Sequence, residues 1–322
     1  MKLRTLLACL ATGLTCVVAG QERSFRTEIR VVQVPVAVTD AKGANVDGLT
    51  ARDFLVTDDG APRETVLDTF GTGMAPISLV IAVQTSGISK PALTKVRRIG
   101  GMIMPLVIGR RGEAAVVTFD DEVNWRLNFT GNSDAIQKAV KGLEITGSPH
   151  ANMQARMLDA VVDAADLMKE RKGRRVLLLI SESKDRGSNA HLEQVVQAVE
   201  RQGVEVFAAT YSASSTAWIA DPDDLPPPSG TNYLTVFSEL FRLGKINHAL
   251  ALTQATGGRD YSFLRERGIE KAVEALGADV HSQYILSFPP PENASKGMHE
   301  IAVSLPNRKD ARIRARRAYW AD

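Results

Sequence analysis

At 322 residues, 44% hydrophobic and 24% charged, the chain has the material for one large domain or two and an ordinary globular composition, which excludes disordered and fibrous classes. Lys2 and Arg4 account for the whole excess of 39 basic over 37 acidic residues, so the remainder is neutral and carries no electrostatic case for nucleic acid as a partner. Both cysteines, Cys9 and Cys16, fall within the first 20 residues, which removes disulfide and thiol chemistry from everything that follows.

Residues 1–20 read as a secretory signal peptide. Met1-Lys2-Leu3-Arg4 is a positive start, Thr5 to Ala19 is apolar, and Val18-Ala19-Gly20 supplies small residues before Gln21. The apolar stretch is shorter than the ~20 residues of a spanning helix, and no later segment is apolar enough to span. The expected destination is export to the periplasm, cell surface or medium, with no transmembrane segment after the leader.

Residues 21–75 read as β structure. Ile29 to Val38 is dense in β-branched residues and ends in the turn signal Asp40-Ala41-Lys42-Gly43, with Val46 and Leu49 beyond as the return of a hairpin. Asp53 to Val56 followed by Asp58-Asp59-Gly60 repeats strand and turn. Pro35, inside the first run, predicts an edge strand or a bulge there, because proline has no N–H to give a ladder.

Residues 76–280 alternate short apolar runs with helical spacing. Ile77–Val83, Ala114–Phe119, Val176–Ile180 and Val204–Ala209 look like strands buried on both faces, and Val123–Leu127 like an antiparallel edge strand. Leu93–Val107, Ser133–Leu143, Met153–Met168 and His191–Gln202 have helical spacing. The alternation predicts a doubly wound, mostly parallel sheet. A Ser-, Pro- and Asp-rich loop at 212–231, containing Pro226-Pro227-Pro228, interrupts it. Helical spacing returns over Tyr233–Gln254 and Ile269–Leu276.

Residues 281–322 turn to β again, with alternation over Ser282–Phe288, His299–Leu305 and Ala311–Tyr319. Two marginal β pieces flanking one α/β unit predict a β-sandwich built from both ends of the chain with the α/β domain inserted. Arg312, Arg314 and Arg316 alternate along the last run and read as a solvated strand face.

Three stretches together resemble the bacterial VWFA-related family of exported proteins, whose core is a von Willebrand factor type A (VWA) domain. They are Val38-Thr39-Asp40 through Asp58-Asp59-Gly60, the core from Ile77 to Leu276, and His281-Ser282-Gln283-Tyr284 through Arg314-Ala315-Arg316. The resemblance implies a VWA-like α/β domain on an Ig-like β support. It also implies a metal-ion-dependent adhesion site, in which Asp-x-Ser-x-Ser follows the first strand, a Thr lies on a second loop and an Asp follows a later strand. Here those places hold Gln84, Ser86 and Ile88, then Ala155 before Met157-Leu158-Asp159-Ala160, then Glu182. Only Ser86 and Glu182 keep a ligand atom, so no metal or at most weak magnesium binding is expected.

The implied role is a non-enzymatic, adhesion-like interaction module that meets an unidentified protein partner at the carboxyl ends of the strands. The expected face comprises Gln84, Thr85, Ser86, Gly87, Ile88, Ser89, His150, Asn152, Glu182 and Asp185. A metal-assisted (Mg/Mn) adhesin is the nearest alternative. An envelope serine hydrolase is the distant one, resting on Ser181-Glu182-Ser183-Lys184 alone.

Overall fold

The N-terminal strands are short and end in turns whose residues require them. β1 (Val32–Thr39) stops at Asp40, whose Oδ1 accepts from the N–H groups of Lys42 and Ala44, and the return of the hairpin is a single bridge from Thr39 to Asn45. β2 (Leu55–Asp58) and β3 (Ala61–Arg63) form a two-residue hairpin through Asp59 and Gly60. Both turn residues have positive φ, 49° and 80°, the mirror-image turn that matches strand twist and that Asp-Gly favours. β4 (Val66–Asp68) completes this end.

The middle of the chain alternates. β5 (Ile77–Gln84) leads to α1 (Lys90–Val96), α2 (Gly100–Ile103) and a π-helical turn at Met104–Ile108. The sequence predicts one helix there; the structure divides it by a turn at Arg97-Arg98-Ile99, just before Gly100-Gly101, and changes its winding around Pro105. A Cβ on Gly100 would lie 3.0 Å from the Gln137 backbone, so the break brings α2 against the next helix. β6 (Glu113–Phe119) and β7 (Val123–Thr130) form an antiparallel pair, followed by α3 (Ser133–Lys141), α4 (Met157–Met168), β8 (Arg174–Ser181), α5 (Leu192–Arg201) and β9 (Val204–Thr210). α6 (His248–Thr256) stops at Gly257, which takes the left-handed conformation at φ +79°. α7 (Gly268–Ser282) runs a turn and a half beyond the predicted stretch.

The computed structural model describes residues 31–68, 75–86, 89–146, 154–211, 242, 247–263 and 268–321, and residues 31–322 form one unit. The expected leader, the loop at 212–231 and most of the helical stretch expected from Tyr233 lie outside the described residues. Among the described residues no helix is long and apolar enough to cross a membrane.

The five-stranded sheet has the order β7-β6-β5-β8-β9, parallel apart from β7. This is the order of a doubly wound sheet, in which the first strand is central and the chain reverses direction beside it. Residues 259–263 extend it by running parallel to β9, with Ala208 N–H donating to Arg259 O and Tyr261 N–H to Ala208 O. Successive β5 residues feed opposite cores. Leu79, Ile81 and Val83 pack with α1, α2, α3 and α7, whereas Val80 and Ala82 pack with α4, α5 and α6. Burial on both faces is why the strands read as unbroken apolar runs.

The tail supplies β10 (Tyr284–Phe288), β11 (Gly297–Ser304), β12 (Arg312–Ala315) and β13 (Ala318–Ala321). They interleave with the N-terminal strands in two four-stranded sheets, β12-β1-β10-β4 and β13-β11-β2-β3. Val34, Val36, Val56, Tyr284, Leu286, Phe288, Ile301 and Tyr319 form one shared core.

Two expectations are corrected here. β1 is an interior strand, with β10 on one side and β12 on the other. Pro35 is tolerated because β12 pairs only with Val36–Thr39. Gln33, which faces the same way as Pro35, gives its carbonyl to Arg316 rather than to a strand. The last alternating run is two strands on different sheets, and of its arginines only Arg312 is exposed. Arg314 pairs with Asp279 at 2.8 Å and donates to Gly257 O, and buried Arg316 pairs with buried Glu200 on α5.

Candidate functional site

Five loops converge at the carboxyl end of the parallel sheet, because parallel strands all deliver their ends to the same side. Thr85, Ser86 and Ser89 follow β5, Asp120 follows β6, Thr146 follows α3, Ser181 to Arg186 end β8, and Tyr211 follows β9. Gln84 is at their centre and 1% exposed. Its Oε1 accepts from the Glu182 N–H at 2.9 Å, which fixes the amide orientation, and its Nε2 donates to Ser86 Oγ at 2.8 Å. Ser86 Oγ lies 3.5 Å from Ser89 Oγ, which accepts from the Tyr211 hydroxyl at 2.7 Å. Burial raises the Tyr211 phenol above its ordinary value, so it stays a neutral donor.

Thr85 sits on the other side of the loop. Its hydroxyl is 2.6 Å from that of Thr146 and 3.5 Å from Asp120 Oδ2, and its backbone pairs with both loops. Glu182 is buried, with Oε2 3.5 Å from Arg186. Ala155 is fully buried and exchanges two backbone hydrogen bonds with Arg186, so no hydroxyl occupies the second-loop position. Asp185 has its carboxylate committed to the start of α4 and the loop beyond it. It accepts from the Leu158 N–H and the Ser188 hydroxyl, anchoring the start of α4. Its own N–H donates to His248 Nδ1 at 3.2 Å. Burial lowers the His248 pKa and keeps that nitrogen an acceptor.

The structure therefore brings Gln84, Thr85, Ser86, Ser89 and Glu182 into one hydrogen-bonded group and places Asp185 beside it in a positioning role. Gly87, Ile88, His150 and Asn152 lie outside the described residues. Asp120, Thr146, Tyr211 and His248 were missed by sequence reasoning. Asp120 directly follows a predicted strand and Tyr211 lies two residues beyond one, the one signal that points to them.

Ser181, the hydroxyl of the hydrolase alternative, is fully buried, donates to the Glu182 carbonyl and touches Met157 sulfur, with no base among these contacts. A cleft of about 260 Å³ beside α4, lined by Val123, Arg156, Asp159, Asp163 and Ala190, is smaller than the ~300–1,000 Å³ usual for small-molecule sites.

A second group of ionisable side chains lies in the β sheets, away from these loops. Asp58 and Asp59 of the β2–β3 hairpin and His299 of β11 each place a metal-competent atom within 4.8 Å of the others. Asp58 and His299 are buried, and the Asp59 side chain is 54% exposed. The fold thus contains a group able to hold a metal, but not at the position that the adhesion-site resemblance implies.

No family model matches the chain, and no curated protein matches it. Among solved structures it is similar to the conserved hypothetical protein BatB from Bacteroides thetaiotaomicron, at 12% identity over 63% of this chain and 97% of that one, with a TM-score of 0.44. It is similar to a von Willebrand factor type A protein from Catenulispora acidiphila, at 10% identity over 92% and 65% of the two chains, TM-score 0.46. A third is proximal thread matrix protein 1 of the mussel byssus, described with a zinc-occupied MIDAS motif, at 13% identity over 66% and 47%, TM-score 0.45. The chain spans less than two thirds of the length of the last two. In its own sheet order, with one antiparallel edge and helices on both faces, the chain carries a doubly wound α/β domain of the kind that the VWA resemblance implies.

Proposed function

We propose that the chain is an exported, non-enzymatic interaction module: a VWA-like domain (76–280) on an Ig-like β-sandwich formed by residues 21–75 and 281–322, meeting a protein partner at the carboxyl end of the parallel sheet. The observation that carries this reading is Gln84. Where the family resemblance implies a metal-binding carboxylate, a neutral amide spends both its polar atoms on the protein, accepting from Glu182 N–H and donating to Ser86. A magnesium ion there would lack anionic first-loop oxygen and would have to displace these bonds. Ser86, Ser89 and Tyr211 extend the same neutral network. A face without a cation suits a partner that makes direct contacts through exposed loop atoms. Leader cleavage and export belong to the same proposal and rest on the sequence of residues 1–20.

The test uses an exposed position, since Glu182 is buried and its replacement would disturb the fold. Lys184→Glu should reduce capture of a crosslinked partner from envelope extract at least tenfold while shifting melting by less than 2 °C, as for an ordinary surface change. Equal capture by this variant would move the interface elsewhere. Calorimetry with magnesium should show no micromolar binding; such binding would favour the metal-assisted adhesin instead.

A further inference from the structure

We propose that Asp58, Asp59 and His299 form a zinc-class cation site in the β portion of the chain, independent of the loops at the end of the parallel sheet. Each of the three groups has one polar atom committed to the protein and another turned toward a common point. Asp58 Oδ2 takes Arg63 at 3.0 Å and the Tyr319 hydroxyl at 3.2 Å, while Asp58 Oδ1 is buried with no hydrogen-bond partner. Asp59 Oδ1 accepts from the Glu300 N–H at 2.8 Å, leaving Oδ2. His299 Nε2 lies 2.7 Å from the Ser295 carbonyl, which can only accept, so Nε2 carries a proton. That leaves Nδ1 facing Asp59 Oδ2 at 2.8 Å and Asp58 Oδ1 at 3.8 Å.

A neutral imidazole held this way would aim a lone pair at two carboxylate oxygens, three acceptors with no donor among them. A divalent cation resolves that conflict. It also supplies the missing partner of Asp58 Oδ1, an orphaned buried carboxylate oxygen being costly. The outer contacts match what metal ligands require, a histidine oriented through its other nitrogen and carboxylates fixed by hydrogen bonds. A tetrahedral zinc shell at about 2.0–2.2 Å sets neighbouring ligand atoms roughly 3.4 Å apart. The observed 2.8 and 3.8 Å bracket that value, so small side-chain rotations suffice. The exposed side of Asp59 leaves water to complete the shell. One nitrogen and two oxygens favour zinc over magnesium, which prefers oxygen throughout.

The hairpin makes a clean variant available. Asn adopts positive φ readily, so Asp59→Asn keeps the turn and the acceptor for Glu300 while removing the anionic ligand. Chelator-treated full-length protein titrated with zinc against a chromophoric chelator should bind one equivalent at micromolar or tighter affinity. Asp59→Asn should weaken this at least tenfold with an unchanged melting temperature in the metal-free state, and Asp58→Asn should weaken it as well. Saturating zinc should also broaden or shift the His299 ring resonances. Failure of the wild type to bind, or equal zinc affinity in Asp59→Asn, would overturn the site and leave a His299–Asp59 ion pair in its place.

Discussion

Asp260 shows how one side chain at the edge of the sheet couples folding to pH. Its carboxyl accepts from the Thr210 N–H and hydroxyl, yet burial outweighs these bonds and raises its pKa to about 6 from an ordinary 3.8. Between those values the folded chain holds more protons than the unfolded one, so this group's stability is fully present below the lower value and is lost as pH rises toward the upper. Asp260→Asn keeps an acceptor for Thr210 and removes the titration. Urea midpoints measured from pH 3.5 to 6.5 should therefore fall less steeply with rising pH in the variant than in the wild type. Gln84 illustrates the same scale for function. Its departure from an expected carboxylate is visible in the sequence, but the partner that captures its Oε1, the Glu182 N–H, is 98 positions away and is set only by the pairing of β5 with β8.

At the scale of elements, close backbone approach is concentrated where α6 turns into the segment beside β9. A Cβ on Gly258 would sit 1.9 Å from Val206 O. Gly258→Ala must push the chain off the edge of the sheet, and a loss of about 1–3 kcal/mol is expected, read as a lower urea midpoint with an unchanged slope. The parallel strands β5, β6, β8 and β9 were legible because burial on both faces leaves continuous apolar runs, and the antiparallel β7 because a turn at Asp120-Asp121 precedes it. The last run was not legible as two strands. Its alternation continues through Arg316, and only tertiary pairing of Arg316 with Glu200 places the break there. The split of the stretch after β5 was signalled by Gly100, Gly101 and Pro105, which the apolar spacing outweighed. The Asp58–Asp59–His299 group was not legible at all. His299 is 240 positions from Asp59, and register in the β sheets, not motif spacing, brings them together.

Across the whole molecule, two buried arginines tie the β sheets to the α/β layers. Arg174 of β8 contacts Glu205 of β9 at 3.1 Å, donates to Val280 O at the end of α7, and joins Gln283, which in turn donates to Glu205. Burial raises the Glu205 pKa, and Arg174 opposes it. Arg316, between β12 and β13, reaches Glu200 on α5 and the carbonyls of Gln33 and Ala318. Burial takes Glu200 up to about 7 despite Arg316. Arg316→Met should cost about 3–5 kcal/mol at pH 8, because losing Arg316 raises the Glu200 pKa still further and folding must then take up a proton, and less at pH 5, where the carboxyl is protonated in either variant. Adding Glu200→Leu should recover most of that loss, since a buried pair replaced by packed apolar groups is close to neutral; urea denaturation of the single and double variants measures both effects.

The interleaving of first and last strands also sets an order in time. Asp68 of β4 accepts from Ser287 of β10, 219 positions later. A chain made at about 5–20 residues per second takes roughly 10–45 s to cover that distance. Through that interval β1 has neither of its sheet neighbours and β2 has only its hairpin partner β3. Their open edges are a hazard to be shielded, whereas each parallel strand of the inserted layer meets its partners as the chain emerges. The α/β layers are thus in a position to form first, and the two β sheets close around a chain whose middle is already folded.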